Sequence, residues 1–169
     1  ENYKPENEQE TVDKATILSY IQSFSHNVLT RQNTIAHITS SGFIVNPAAT
    51  KVLFVHHNQR GVWGWTGGHA DGEEDLAAVA LREACEETGL TRATLLSPNI
   101  ASLDVLPVAA HYKNGNYVGA HLHLSVSYLL AANDTHTLRH KPDENSAVKW
   151  FPAEVLTEEN FSAHDAYLY

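Results

Sequence analysis

The sequence is poor in features that define several classes of protein. A single cysteine, Cys85, excludes an intrachain disulfide, so a secreted disulfide scaffold is not expected. No apolar run approaches the length of a membrane span, and no signal-peptide pattern opens the chain. We therefore expect a protein without a membrane partner, and the cytoplasm is its expected location.

Basic residues are also scarce. The chain has 11 Lys and Arg residues against 20 Asp and Glu residues, which gives a formal net charge of −9 at pH 7. This charge argues against nonspecific binding to nucleic acid or to anionic membranes. An acidic protein that handles an anionic substrate needs a cation between the two.

Length and composition indicate one folded domain. The 169 residues suffice for a sizeable core, and the hydrophobic fraction of 43% is ordinary for a globular protein. Residues 1–10 are polar and acidic, and we expect them to form a loosely ordered lead-in. Neither a repeat nor a linker divides the remainder, so residues 11–169 are expected to form a single domain.

Helical and strand patterns alternate along the chain and predict an α/β fold. The apolar spacing of residues 12–28 predicts an N-terminal amphipathic helix. A tight turn is expected at Asn114-Gly115, because both residue types tolerate positive φ angles. Strands are predicted at residues 34–45, 51–57, 63–66, 100–112, 117–131 and 147–151, and short helices after Pro152 (with Val155 and Leu156) and around Phe161, Ala166 and Leu168.

Residues 67–90 contain the pattern on which the functional interpretation depends. A glycine pair, Gly67-Gly68, and a turn at Asp71-Gly72 precede a segment that is rich in Ala and Leu. This composition predicts a helix from about Glu74 to Thr88. Gly89 then occupies the position of a left-handed C-terminal cap.

The apolar stripe of this helix continues into glutamates. Leu76 and Val79 begin the stripe, its next members are Glu83 and Glu87, and Glu86 points to nearly the same side as Val79. Buried carboxylates repel one another and are costly to desolvate. A divalent cation such as Mg²⁺, Mn²⁺ or Ca²⁺ would neutralise them. The alternative is a solvated acidic face on a surface helix.

The same stretch resembles the Nudix box, G-x5-E-x7-R-E-U-x-E-E-x-G-U, in which U is an aliphatic residue. Ala84 is a small choice for the first aliphatic position. The order of the flanking elements extends the similarity from about Thr34 to Trp150. The matching residues are Gly68, Glu74, Arg82, Glu83, Glu86, Glu87, Gly89 and Leu90.

The resemblance implies a Nudix-type α/β/α sandwich with a mixed β-sheet, with the box at residues 68–90. Nudix hydrolases cleave a nucleoside diphosphate linked to another group, usually by attack of water on phosphorus. The resemblance therefore implies a hydrolase acting on phosphorus-containing acid anhydrides, with Mg²⁺ as cofactor and Mn²⁺ as a substitute. Its substrate would be a small nucleotide: a nucleoside triphosphate, ADP-ribose or another sugar nucleotide, or a dinucleoside polyphosphate. A homodimer remains open.

The glutamates of the box are the expected catalytic and metal-binding residues. Metal ions held by Glu83, Glu86 and Glu87 would bind pyrophosphate oxygens and lower the pKa of a bound water. The resemblance implies the carbonyl group of Gly67 as a further ligand. Family positions also imply that Glu74 and Arg82 brace the loop and the helix through ion pairing.

The general base is expected to be Glu144. Many relatives place an acidic residue in a loop ahead of a tryptophan, and Glu144 lies six residues before Trp150. Two alternatives are open: Asp143 and Glu144 only cap a turn, or Glu86 or Glu87 deprotonates the water instead.

Three further residues are candidate substrate contacts. Trp65 could stack on a base, although a tryptophan beside a strand is more often part of the core. His69 follows the glycine pair and could contact a phosphate, and His123 could line the pocket. Together with His111 and His121, His123 could also suggest zinc. No metal-ligand spacing recurs, however, so surface or hydrogen-bonded roles are expected for the histidines.

The Nudix resemblance leaves two other functions open. A nucleotide-sensing Nudix domain binds without turnover, but such modules commonly have eroded boxes and an attached DNA-binding segment, whereas this chain has an intact box and no basic extension. A Nudix-fold isomerase of a prenyl diphosphate departs from the full box and uses a cysteine at another position. The sequence thus favours the pyrophosphohydrolase.

Overall fold

The computed structural model of this protein describes residues 2–113 and 115–156. Neither α-helix in this part has the length and apolarity that crossing a bilayer requires. The helices are α1 (Glu8–Phe24) and α2 (Leu76–Thr88), and the strands are β1 (Ala36–Val45), β2 (Lys51–His57), β3 (Trp63–Gly64), β4 (Thr66–His69), β5 (Thr94–Leu95), β6 (Ser102–Val108), β7 (His111–Lys113), β8 (Asn116–Val118), β9 (His121–Ala131) and β10 (Asn145–Pro152), followed by a 3-10 turn at Ala153–Val155.

Strand β1 is the centre of one mixed sheet. It runs parallel to β9 along its whole length. Its other edge pairs antiparallel with β4 in its middle and with β2 at its end. β10 and β3 extend the sheet from β2, while β6 and β5 pair with β9. The predicted α/β fold class with a mixed sheet is confirmed.

Helix α2 packs on one face of this sheet through its apolar stripe. Val79, Ala80 and Ala84 are fully buried, and the main core cluster joins α2 to sheet residues such as Leu124 and Leu130. A smaller cluster of Val45, Val52 and Phe54, with Trp63 and Phe151 packed against it, lies on the opposite face because strand side chains alternate. Burial of the stripe determines which way the glutamates of α2 point.

The ends of α2 follow from local capping. The helix begins at Leu76, two residues after the predicted start, because the Asp75 side chain accepts a hydrogen bond from the Ala78 N–H at 3.0 Å. Gly89 ends it with a φ of 71°, and its N–H donates to the carbonyl oxygen of Cys85. The predicted left-handed cap is confirmed.

Helix α1 lies about one turn earlier than the predicted helix 12–28 at both ends. Asn7 is its N-cap and accepts a hydrogen bond from the Glu10 N–H at 2.8 Å. The lead-in predicted for residues 1–10 therefore contains the first turn of α1, and Tyr3 packs against the main core. The apolar spacing alone did not reveal this cap.

Several predicted strands are divided in the structure. Strand 63–66 is split between β3 and β4, and the long hairpin between residues 100 and 131 is split into β6 with β9 and a separate ribbon of β7 with β8. Gly115 has a φ of 78°, as the predicted turn requires, while Asn114 lies outside the described residues.

The end of the chain is described only in part. The helix expected after Pro152 is a single 3-10 turn. The predicted terminal helix with Phe161, Ala166 and Leu168 lies outside the described residues.

Candidate active site

The glycine pair of β4 lets its backbone lie against α2. A Cβ atom on Gly68 would come within 2.4 Å of the Glu83 carboxyl carbon, so a larger residue would displace that carboxylate. The Gly67 N–H donates a 2.7 Å hydrogen bond to Oε1 of Glu87. Strand β4 therefore forms a wall against which both carboxylates rest.

Three carboxylates form what we call the acidic cluster. Glu83 and Glu87 come from α2 and Glu144 from the loop before β10, and one oxygen of each lies within 4.8 Å of the others. Glu87 is only 2% exposed. Oxygen donors grouped in this way fit a hard divalent cation such as Mg²⁺ or Mn²⁺.

Negative charge on the carboxyl groups of the acidic cluster is energetically unfavourable. Burial raises the pKa of Glu87 to about 8; the hydrogen bond from Gly67 opposes this shift, and the charges of Glu144 and Glu83 add to it. Burial, followed by the charge of Glu86, also raises the pKa of Glu83. A bound cation would supply the missing positive charge.

Glu86 lies at the edge of the acidic cluster. Its side chain is 46% exposed, its Oε2 lies 3.1 Å from Nζ of Lys141, and its Oε1 lies 3.9 Å from Nε of Arg82. The sequence predicted convergence of Glu83, Glu86 and Glu87, but the structure groups Glu83 and Glu87 with Glu144 instead. Positions 83 and 87 share a helix face, whereas position 86 is rotated by about 100° from position 87.

The loop before β10 is fixed to α2 by two residues that sequence reasoning missed. Lys141 Nζ lies 3.1 Å from Glu86 and 3.2 Å from Glu144. Asn145 is fully buried, and its side-chain amide donates to the carbonyl oxygen of Glu87 at 3.1 Å. Their only sequence signal was their place within three residues of Glu144 in the loop ahead of Trp150.

The predicted bracing residues have different surroundings. Arg82 lies 3.3 Å from Oε1 of Glu83 and so contacts the glutamates of its own helix. The exposed Glu74 makes no side-chain hydrogen bond or ion pair within residues 2–113 and 115–156, and its carbonyl oxygen accepts from the Leu76 N–H. The ion pairs of Arg82 therefore lie within α2, and a role of either residue in bracing the loop stays a prediction.

The predicted substrate contacts lie around the glycine pair. Trp65 is half-buried, and its carbonyl oxygen accepts a hydrogen bond from His57 Nε2 at 3.0 Å. His69 and His123 meet His37, which sequence reasoning missed, and one ring nitrogen of each lies within 4.8 Å of the others. We call these three residues the histidine cluster.

The histidine cluster differs from the set suggested by the sequence, which was His111, His121 and His123. His121 does lie beside it, with its Nε2 at 3.3 Å from Nε2 of His123, while the His111 ring is 6.3 Å from that of His121. His37 could have been found from the alternation of His37, Thr39 and Ser41 on one face of β1.

The acidic cluster beside a glycine-rich strand makes this α/β domain a candidate hydrolase. A model of the NUDIX domain family matches residues 36–169. The chain belongs to the Nudix family, and the predictions of this family and of a Nudix hydrolase are confirmed.

Solved structures of low sequence identity share the fold. A Caenorhabditis elegans Ap4A hydrolase in a binary complex has a TM-score of 0.55 and 19% identity, covering 78% of this chain and 90% of its own. The Escherichia coli dihydroneopterin triphosphate pyrophosphohydrolase has a TM-score of 0.51 and 16% identity, covering 70% and 82%. Comparison with curated protein sequences found no match.

Proposed function

We propose that this protein is a Mg²⁺-dependent pyrophosphohydrolase that cleaves a nucleoside diphosphate linked to another group by attack of water on phosphorus. The observation that carries the proposal is the acidic cluster, in which the buried Glu87 and its neighbours Glu83 and Glu144 face one another beside β4. Mn²⁺ would substitute for Mg²⁺ because both prefer oxygen ligands.

The residues of the site have separate roles in this proposal. Glu83 and Glu87 would hold the cation, and the carbonyl group of Gly67 remains a proposed further ligand. When bound, the cation would neutralise charge on the diphosphate and lower the pKa of a water molecule. The Gly67 N–H fixes one oxygen of Glu87 and so orients the carboxylate. Glu86, which is paired with Lys141, would contribute to metal binding from the edge of the cluster.

Glu144 is the proposed general base. It comes from a loop rather than from α2, and its carboxylate is positioned 3.2 Å from Lys141 Nζ. Asn145, the next residue, fastens this loop to the end of α2. A base on a fixed loop can be aligned with a water molecule for an in-line displacement, which depends on positioning.

The proposed substrate contacts lie on both sides of the glycine pair. Trp65 would stack on a base, and His69 and His123 would lie toward a phosphate group. The C. elegans and E. coli proteins of similar fold are named for hydrolysis of Ap4A and of dihydroneopterin triphosphate, which makes both compounds useful members of a substrate panel.

A substrate panel with Mg²⁺ tests the proposed function. We expect release of phosphate, diphosphate or a nucleoside monophosphate from at least one nucleoside triphosphate, sugar nucleotide or dinucleoside polyphosphate, and loss of release in EDTA. Glu87→Gln protein purified in parallel controls for contaminating hydrolases. No release from any compound would contradict the proposal and favour a nucleotide-sensing domain.

Glu144→Gln is expected to lower kcat by at least about tenfold, because an amide cannot accept the proton of the water. The Mg²⁺ concentration that gives half-maximal rate should change little. The acidic arm of the pH–rate profile should also change. Asp143→Asn removes the same charge from the neighbouring residue and serves as the control. An unchanged profile in Glu144→Gln would assign the base to another residue.

A further inference from the structure

We propose that the histidine cluster is a second metal site, which takes a divalent transition-metal ion that prefers imidazole nitrogen, such as Zn²⁺. His37, His69 and His123 come from the neighbouring strands β1, β4 and β9. In the sheet His37 lies opposite His123, and Thr39, two residues further along β1, lies opposite His69. The hydrogen bonding of the sheet therefore holds all three donors in place.

His37 provides an independent indication of a ligand. Its Nδ1 donates a 3.0 Å hydrogen bond to the carbonyl oxygen of Asn33, so Nε2 carries the lone pair. The residue is 4% exposed, and this buried Nε2 has no hydrogen-bond partner among the described residues. A histidine whose other nitrogen is held by a backbone carbonyl is the usual arrangement of a metal ligand.

The distances are compatible with a tetrahedral ion. Zn–N bonds of 2.0–2.1 Å place ligand nitrogens about 3.3 Å apart. The three ring nitrogens lie within 4.8 Å of one another. Side-chain rotations that shorten these N–N distances by up to about 1.5 Å would give the spacing of a zinc site. His121 is suited to be the fourth ligand, because its Nε2 is 3.3 Å from that of His123 and its Nδ1 donates to the carbonyl oxygen of Gly119.

The histidine cluster and the acidic cluster would select different ions. Nitrogen donors suit Zn²⁺, whereas the oxygen donors of Glu83, Glu87 and Glu144 suit Mg²⁺. An open groove of about 610 Å³, lined by residues that include Ile35 and Leu122, reaches His121, the proposed fourth ligand. The proposal does not depend on turnover.

Titration of metal-free protein with Co²⁺ alone, followed by Zn²⁺, tests the site. We expect about one equivalent of Co²⁺ to give a visible absorption band typical of tetrahedral nitrogen ligation, which Zn²⁺ removes and excess Mg²⁺ does not. His69→Gln and His123→Gln should each weaken Zn²⁺ binding at least about tenfold.

Two control variants separate this site from others. His26→Gln changes an exposed histidine and should bind Zn²⁺ as the wild type does, and Glu87→Gln should keep the Co²⁺ band. Circular dichroism would verify that each variant is folded. A missing Co²⁺ band, unchanged Zn²⁺ affinity in folded His69→Gln and His123→Gln, or loss of the band in Glu87→Gln would overturn the proposal.

Discussion

Glu83→Gln and Glu87→Gln are each expected to lower kcat by at least about a hundredfold at saturating substrate and Mg²⁺, with the fold retained. Each substitution removes one negative oxygen donor from the acidic cluster, and metal-assisted steps then lose several kcal/mol of transition-state stabilisation. The measurement is steady-state kinetics with the best substrate of the panel.

The neighbouring Glu86 gives an internal comparison. Glu86→Gln should reduce kcat less than either of the other two changes, because its carboxylate lies at the edge and pairs with Lys141. Glu154→Gln alters an exposed glutamate and should leave the rate unchanged. Near-normal rates in both Glu83→Gln and Glu87→Gln would contradict the assignment of the site.

Metal-free protein is expected to lose about 2 kcal/mol of stability between pH 6.5 and 8 because of Glu87. The pKa of this carboxyl rises from 4.5 to about 8 on folding. The folded state therefore binds more protons than the unfolded state in this window, so the free energy of unfolding falls as the pH rises. Glu83, whose pKa is also raised, changes stability in the same direction.

Titration of the histidines does not cause the expected loss of stability between pH 6.5 and 8. His37, His69 and His123 have pKa values below the ordinary 6.5, so their contribution to stability rises with pH and is nearly complete above that value. Urea unfolding in a chelator at several pH values measures the slope. Glu87→Gln or saturating Mg²⁺ should flatten it. If the free energy of unfolding depends on pH in Glu87→Gln as it does in the wild type, groups other than Glu87 cause the loss of stability.

Much of the acidic cluster follows from local sequence. Glu83 and Glu87 are four residues apart on a stripe that includes buried Val79, so helix periodicity alone brings them together. Gly89 predicted the end of α2 correctly, because glycine adopts the left-handed φ angle of this cap more easily than other residues do. The expectation for Glu144 came from the family pattern, and the structure places it beside the other two.

The remainder of the site depends on pairing between distant segments. His37 meets His123 only because β1 runs parallel to β9, and no local pattern specifies which strands pair or in which direction. The ion pair between Glu86 and Lys141 likewise joins α2 to the loop before β10, which is distant in sequence. These are tertiary contacts that periodicity does not encode.

Anomalous diffraction from crystals soaked in Mn²⁺ with a non-hydrolysable diphosphate would test most directly whether the acidic cluster is the catalytic metal site. We expect a peak coordinated by oxygen atoms of Glu83 and Glu87, on the side facing Glu144. No peak there, or a peak only among the histidines of β1, β4 and β9, would contradict this assignment.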